Sequence, residues 1–260
     1  MQPHTFSPRE VRLLAATLVL LAIAVAGPSV PQMRDYHAFA DQQLRWGLPH
    51  ALNVLSNLPF AAVGLACLVA IQRGARDLSV AERVLATLTA AGLLLTAVGS
   101  SWYHLGPDDA RLVVDRGSMA VAFAGVLGLA ACRVSGRAGL ATGAVMLLAA
   151  PLSVLVWAST GNLWPWVVAQ GGGMLMLLAL AATRSEAALP VRWDALIGLY
   201  GAAKLLEMAD HPVWSLTGGL VSGHSLKHVV AAAALLPVVA ALLRVAPGRQ
   251  NALELPARAA

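Results

Sequence analysis

Apolar runs long enough to cross a bilayer follow one another along almost the whole chain. A spanning helix needs about 20 mostly apolar residues, and such runs lie roughly at 11–30, 51–71, 84–104, 112–132, 138–157, 164–183, 194–212 and 224–243. Little sequence is left over to form a polar surface. Hydrophobic residues make up 58% of the chain and charged ones 12%, and the mean hydropathy is +0.70. Those values lie outside the range of a soluble globular domain. The sequence therefore predicts an all-α integral membrane protein whose first partner is the lipid bilayer.

Charge placement gives the expected orientation. Arg9 and Arg12 precede the first run, and Arg73, Arg76 and Arg83 lie between the second and third. Arg133 and Arg137 follow the fourth, Arg184 and Arg192 separate the sixth and seventh, and Arg244, Arg249 and Arg258 follow the eighth. Every second connection is thus basic, which places both termini in the cytoplasm by the positive-inside rule. The formal net charge of +5 reports topology in this reading. No basic face with interleaved aromatics is present, so no nucleic-acid partner is expected. The first run has arginines before it, as a signal peptide would, but "AGPSVPQM" is a poor cleavage site because of its prolines, and a retained helix is preferred. Cys67 and Cys132 both fall inside expected spans, which argues against a structural disulfide. Trp157, Trp164 and Trp166 read as interfacial anchors.

Polar residues inside the spans are few and sit at one end. A central ionisable group costs about 2.5–3.5 kcal/mol on insertion scales, so those present need partners or a function. Asn53, Ser56 and Asn57 open the second run, and Ser100, Ser101 and His104 close the third. Asp115 and Arg116 begin the fourth, Lys204, Glu207 and Asp210 end the seventh, and His224, Lys227 and His228 begin the eighth. With the orientation above, all of these ends lie on the outer side. His224 and His228 share one helix face at i and i+4, as do Ser100 and His104. Three imidazoles at one depth are a natural ligand set for a catalytic zinc, which typically takes three protein ligands and keeps a position for water. Asp115 could hold and deprotonate that water, and Ser100 could hydrogen-bond to a developing oxyanion. Taken singly, each of these residues is more often a helix cap or a solvated group, and it is their coincidence at one depth that weighs against that reading. Lys204 and Glu207, at i and i+3, are expected to neutralise each other. Asn53, Ser56 and Asn57 are either a polar helix start or a set that orients the ligands.

Ser100-x-x-x-His104, Asp115 eleven residues later, His224-x-x-x-His228 and the "NVLSN" at 53–57 together resemble the alkaline ceramidase family. Its wider superfamily includes seven-helix membrane hydrolases and adiponectin/progestin-type receptors. The resemblance covers residues 53–228. It implies a seven-transmembrane-helix core with the first run as one extra N-terminal helix. The expected division is an N-terminal helix and outward loop over 1–50, the core over 51–245 and a disordered cytoplasmic tail over 246–260. It also implies zinc on His104, His224 and His228, with Ser100 and Asp115 as catalytic residues. The implied reaction is hydrolysis of the amide of ceramide or a related N-acyl lipid, giving a fatty acid and a long-chain amine. A family calcium site would fall to Asp35 and Asp41, although His50 stands three positions before Asn53 where the family has Glu. After Asp115 the chain reads "RGSM" where ceramidases tend to have "ELPM".

One rival reading keeps the fold and metal and changes the role, and two others come from different classes. A receptor or lipid-binding protein of the same superfamily would keep the metal without turnover. A haem protein is disfavoured because paired histidines on one helix face crowd a single metal, whereas axial ligands approach haem from opposite sides. A transporter using Asp115, Glu207 and Lys204 would need polar groups along a path, and here they cluster at one end. Small, Ala- and Arg-rich loops point to a bacterial inner membrane.

Overall fold

The computed structural model describes residues 5–74, 76–185 and 188–245, so the expected tail over 246–260 lies outside the described residues. The helices are α1 (Pro8–Ala26), α2 (Ala51–Leu55), α3 (Leu58–Gly74), α4 (Val80–His104), α5 (Asp109–Ala131), α6 (Gly136–Thr160), α7 (Trp164–Ala181), α8 (Trp193–Met208), α9 (Asp210–Leu216), α10 (Gly223–Ala233) and α11 (Leu236–Leu243). Among the described residues the architecture is all-helical, apart from an isolated bridge between Arg45 and Leu48.

Six segments are long and apolar enough to cross a membrane: Ala51–Gly74, Val80–His104, Asp109–Ala131, Gly136–Thr160, Trp164–Ala181 and Gly223–Leu243. This is fewer than the eight runs of the sequence. The 16 residues of α8 rise only about 24 Å at 1.5 Å each, and α1 carries Arg9, Glu10 and Arg12 in its first turns.

Prolines divide what the sequence reads as single runs. Pro59 and Pro237 lack the N–H that would continue the ladder, so α2 gives way to α3 and α10 to α11 at these points. Asn57 repairs the first break: its Nδ2 donates to the carbonyls of Asn53 and Val54, at 2.8 and 3.4 Å. Likewise Pro212 falls in α9, just beyond the point where α8 ends.

Helices α4, α5 and α6 pack side by side, α3 and α11 lie against one another, and α8 packs on α10. Lipid is as apolar as leucine, so close backbone approach rather than water exclusion must hold these contacts. Gly92 supplies one such approach: a Cβ there would lie 2.2 Å from the Ala122 backbone nitrogen of α5. Helix α1 packs on α7 and is tied at both ends. Its Glu10 accepts from Arg137 and Ser135, at 2.8 and 2.7 Å, and the Trp164 indole donates to the Ile23 carbonyl. Trp157 and Trp166 are buried in a second apolar cluster with Tyr103 and Phe39, and so do not act as the interfacial anchors the sequence suggested. Both cysteines are free thiols.

The segment 31–50 folds back over one end of the bundle. Arg116 of α5 holds its near end, donating to Gln32 at 2.7 Å and stacking between Tyr36 and Trp157. Asp210 holds its middle by accepting the Ala40 N–H at 2.9 Å. At its far end His50 takes a left-handed backbone, φ 47°, and its Nδ1 bonds the Asp41 carbonyl at 2.7 Å. The strap thereby covers the helix ends where the polar residues gather.

Candidate metal centre

Local sequence brings the imidazoles into position. His104 is the last residue of α4, and Ser100 precedes it by one turn on the same face. On the other side Ser222 caps α10 by accepting the Ser225 N–H at 3.0 Å. A Cβ on Gly223 would lie 2.3 Å from the Leu206 carbonyl oxygen, so only glycine lets α10 start this close to α8. That approach lets the His224 N–H reach Asp210 Oδ1 at 2.8 Å. Asp210 therefore fixes the start of α10 and the strap above it at the same time.

His104, His224 and His228 are buried and offer ligand atoms that all lie within 4.8 Å of one another. Their ring centroids are 4.8, 5.0 and 4.8 Å apart in pairs. The Nε2 atoms of His104 and His224 approach to 3.2 Å. Zinc–nitrogen bonds of 2.0–2.1 Å in a tetrahedron place neighbouring ligand nitrogens roughly 3.3 Å apart, so this separation suits two lone pairs facing one cation. The cluster could hold a metal ion.

The surroundings set the tautomer of one ligand. Ser56 Oγ donates to the Asn53 carbonyl at 3.1 Å and lies 2.8 Å from His228 Nδ1. With the hydroxyl hydrogen used on the carbonyl, Nδ1–H must be the donor to Ser56, which leaves the Nε2 lone pair free for a metal. Asn53 Oδ1 accepts from Ser222 and Ser225, at 3.2 and 2.7 Å, and so holds the first turn of α10. Of the three polar residues in "NVLSN", Ser56 thus bonds a histidine, Asn53 anchors the helix carrying it and Asn57 mends the backbone.

Ser100, Asp115 and His228 line one cavity of about 1130 Å³, counting its open mouth. Its remaining wall is mostly apolar and extends along α7, α8 and α10, with Phe60, Met119, Phe123 and Met174 among the lining side chains. Ser100 adjoins the Asp115 carboxyl. Asp115 Oδ1 is buried with no hydrogen-bond partner, as is His104 Nδ1. An orphaned carboxylate oxygen on the wall that Ser100 and His228 also line fits a centre that receives a proton-bearing ligand.

The proposed calcium residues do not join this group. Asp41 is fully buried, and its two carboxylate oxygens accept the backbone N–H groups of Gln43 and Leu52, at 3.1 and 3.2 Å. Asp35 is exposed, and among the described residues the three histidines form the one cluster of three or more His, Cys, Asp or Glu able to hold a metal.

Two contributors were given no role at the site by the sequence reading. Phe39 of the strap is buried with its ring 4.9 Å from that of His104 and 4.4 Å from that of His224. Nothing in "YHAFADQQ" distinguishes that phenylalanine from an ordinary loop residue. Asp210 was legible as an acid at an outer helix end, but its partners Ala40 and His224 lie 170 and 14 residues away. Compared with known proteins, the chain matches no protein-family model and no curated protein.

Proposed function

We propose that this protein hydrolyses the amide bond of ceramide or a related N-acyl lipid, with zinc on His104, His224 and His228, and is a member of the alkaline ceramidase-like hydrolases. The observation that carries the reading is a cluster of three buried imidazoles, one of which, His228, lines a mostly apolar cavity together with Ser100 and Asp115. Polar chemistry at one end and an apolar channel behind it suit an amphiphile with an amide near its head.

When bound, the ion would polarise the amide carbonyl and make water a stronger acid. The chain's own residues supply the rest. Asp115 takes a proton from the attacking water, whose oxygen bonds to the carbonyl carbon. Ser100 donates to the carbonyl oxygen as negative charge develops there. As the C–N bond breaks, Asp115 returns the proton to the departing amine, leaving a fatty acid and a long-chain amine. Phe39 and the strap close the centre from above and limit water around the developing charge.

On this reading α1 and α8 also span the bilayer, giving seven core helices and one added at the N-terminus. This reading also has both termini in the cytoplasm and the metal centre toward the outer face of a bacterial inner membrane, and the arginines of alternate connections support that orientation by the positive-inside rule. The test is release of palmitate from a panel of N-palmitoyl amides by zinc-loaded, detergent-purified protein. Release that is lost in Asp115→Asn supports the reading. A protein that holds zinc and cleaves none of them is a receptor or lipid-binding protein instead.

A further inference from the structure

Lys204 and Glu207 form the expected pair, with Lys204 Nζ donating to Glu207 Oε2 at 2.7 Å. However, Lys227 of α10 donates to the other oxygen of the same carboxylate. Neutralising one half-buried acid takes one ammonium, and here two converge on it. Both carry three N–H donors, and Glu207 is the hydrogen-bond partner described for each. Two like charges held across a single carboxylate in a mostly apolar wall cost free energy unless a further anion joins them.

The trio lines the same cavity as Ser100, Asp115 and His228, and Lys227 directly precedes the metal-facing His228. Asp115 is the other acid on that wall and offsets the extra lysine. A divalent ion on three neutral imidazoles would then leave the cavity with two positive charges in excess. An apolar channel ending in a metal centre and flanked by two under-used ammonium groups matches one kind of ligand. That ligand has a long acyl chain, an amide and an anionic group close to the amide.

We infer that Lys204 and Lys227 form an anion subsite, so that the amphiphile recognised is an anionic N-acyl compound, such as an N-acyl amino acid, in preference to a neutral ceramide. The inference rests on the hydrolase reading for the position of the amide, and on the Lys204–Glu207–Lys227 cluster for the anion. Lysine suits the task because its ammonium binds carboxylate and phosphate alike as a point charge.

The experiment is equilibrium binding of N-palmitoylglycine and N-palmitoylethanolamine, which share the acyl chain and amide and differ in charge, to full-length detergent-purified protein. It is run on zinc-loaded and chelator-treated samples, with palmitate release followed in parallel. Zinc-loaded wild type should bind the glycine conjugate about tenfold to a hundredfold more tightly, the range of one charge-assisted bond. Lys204→Gln and Lys227→Gln each leave Glu207 one ammonium partner, and either should bring the ratio close to one. Lys204→Arg should keep the preference. N-palmitoylphosphatidylethanolamine, assayed beside them, tells a phosphodiester from a carboxylate: tighter retention of either anionic lipid upholds the subsite. Equal binding of charged and neutral amides by wild type, or a preference unchanged in both Gln variants, overturns it. An anion preference without palmitate release upholds the subsite and defeats the hydrolase reading. Release from both amides with equal affinity does the reverse.

Discussion

Removing the Ser56 hydroxyl should weaken metal binding although Ser56 touches no metal. In Ser56→Ala, the buried His228 loses the acceptor that lies 2.8 Å from its Nδ1 and selects the tautomer with a free Nε2 lone pair. The Ser56 bond to the Asn53 carbonyl goes with it, but that carbonyl keeps the Asn57 amide as a donor at 2.8 Å. The loss therefore falls on the imidazole, which keeps only the shared Asn53 carbonyl nearby. Deleting such a supporting partner typically costs about 10–100-fold in metal affinity, or roughly 1.4–2.7 kcal/mol of binding free energy. The assay is competition for zinc against a chromophoric chelator in detergent, with Ser56→Thr as the variant that keeps a hydroxyl. Wild type and Ser56→Thr should agree within a few-fold, and Ser56→Ala should be weaker by at least ~10-fold. If a folded Ser56→Ala holds zinc within twofold of wild type, the serine does not orient the ligand and the tautomer argument fails.

Other outcomes follow from the same geometry. Asp115→Asn should keep its zinc, measured by elemental analysis, while palmitate release falls by about 10²–10⁴, the usual contribution of a general base; undiminished release would remove Asp115 from the mechanism. Gly223→Ala places a Cβ 2.3 Å from the Leu206 carbonyl oxygen and 2.8 Å from that of Ala209. Overpacking of this kind costs about 1–3 kcal/mol, so thermal unfolding in detergent should shift down by several degrees and zinc should bind less tightly as His224 is displaced. An unchanged Tm would show that α10 can move away from α8 at little cost. In Asp210→Ala, the strap and the His224 N–H both lose their acceptor, and protease should cut within 31–50 faster than in wild type.

Much of this architecture is legible as hydrophobic run length, because a bilayer demands about 20 apolar residues wherever a helix crosses. Each of the eight runs contains helix in the structure. What run length misses is where backbone bonds fail. Pro59 and Pro237 divide two runs, and Asn57 mends the first break through contacts three and four residues away. The histidine cluster was also readable, since i, i+4 spacing fixes a shared face for His224 and His228, and the run boundaries set them and His104 at helix ends that meet in the structure. The strap was not. Phe39 reaches His104 and His224 only because Asp210 and Arg116 pin a loop distant in sequence. The pairing of Lys204 with Glu207 followed from their spacing on one helix, whereas the Lys227 contact spans 20 residues and two helices.

The central claim is that His104, His224 and His228 form a metal centre. Elemental analysis of detergent-purified protein, prepared without chelator, with wild type beside His228→Ala, tests it most directly. The account predicts about one zinc per chain in wild type and loss of that zinc in the variant. Wild-type protein without bound metal, or a His228→Ala protein that retains a full complement, would contradict it.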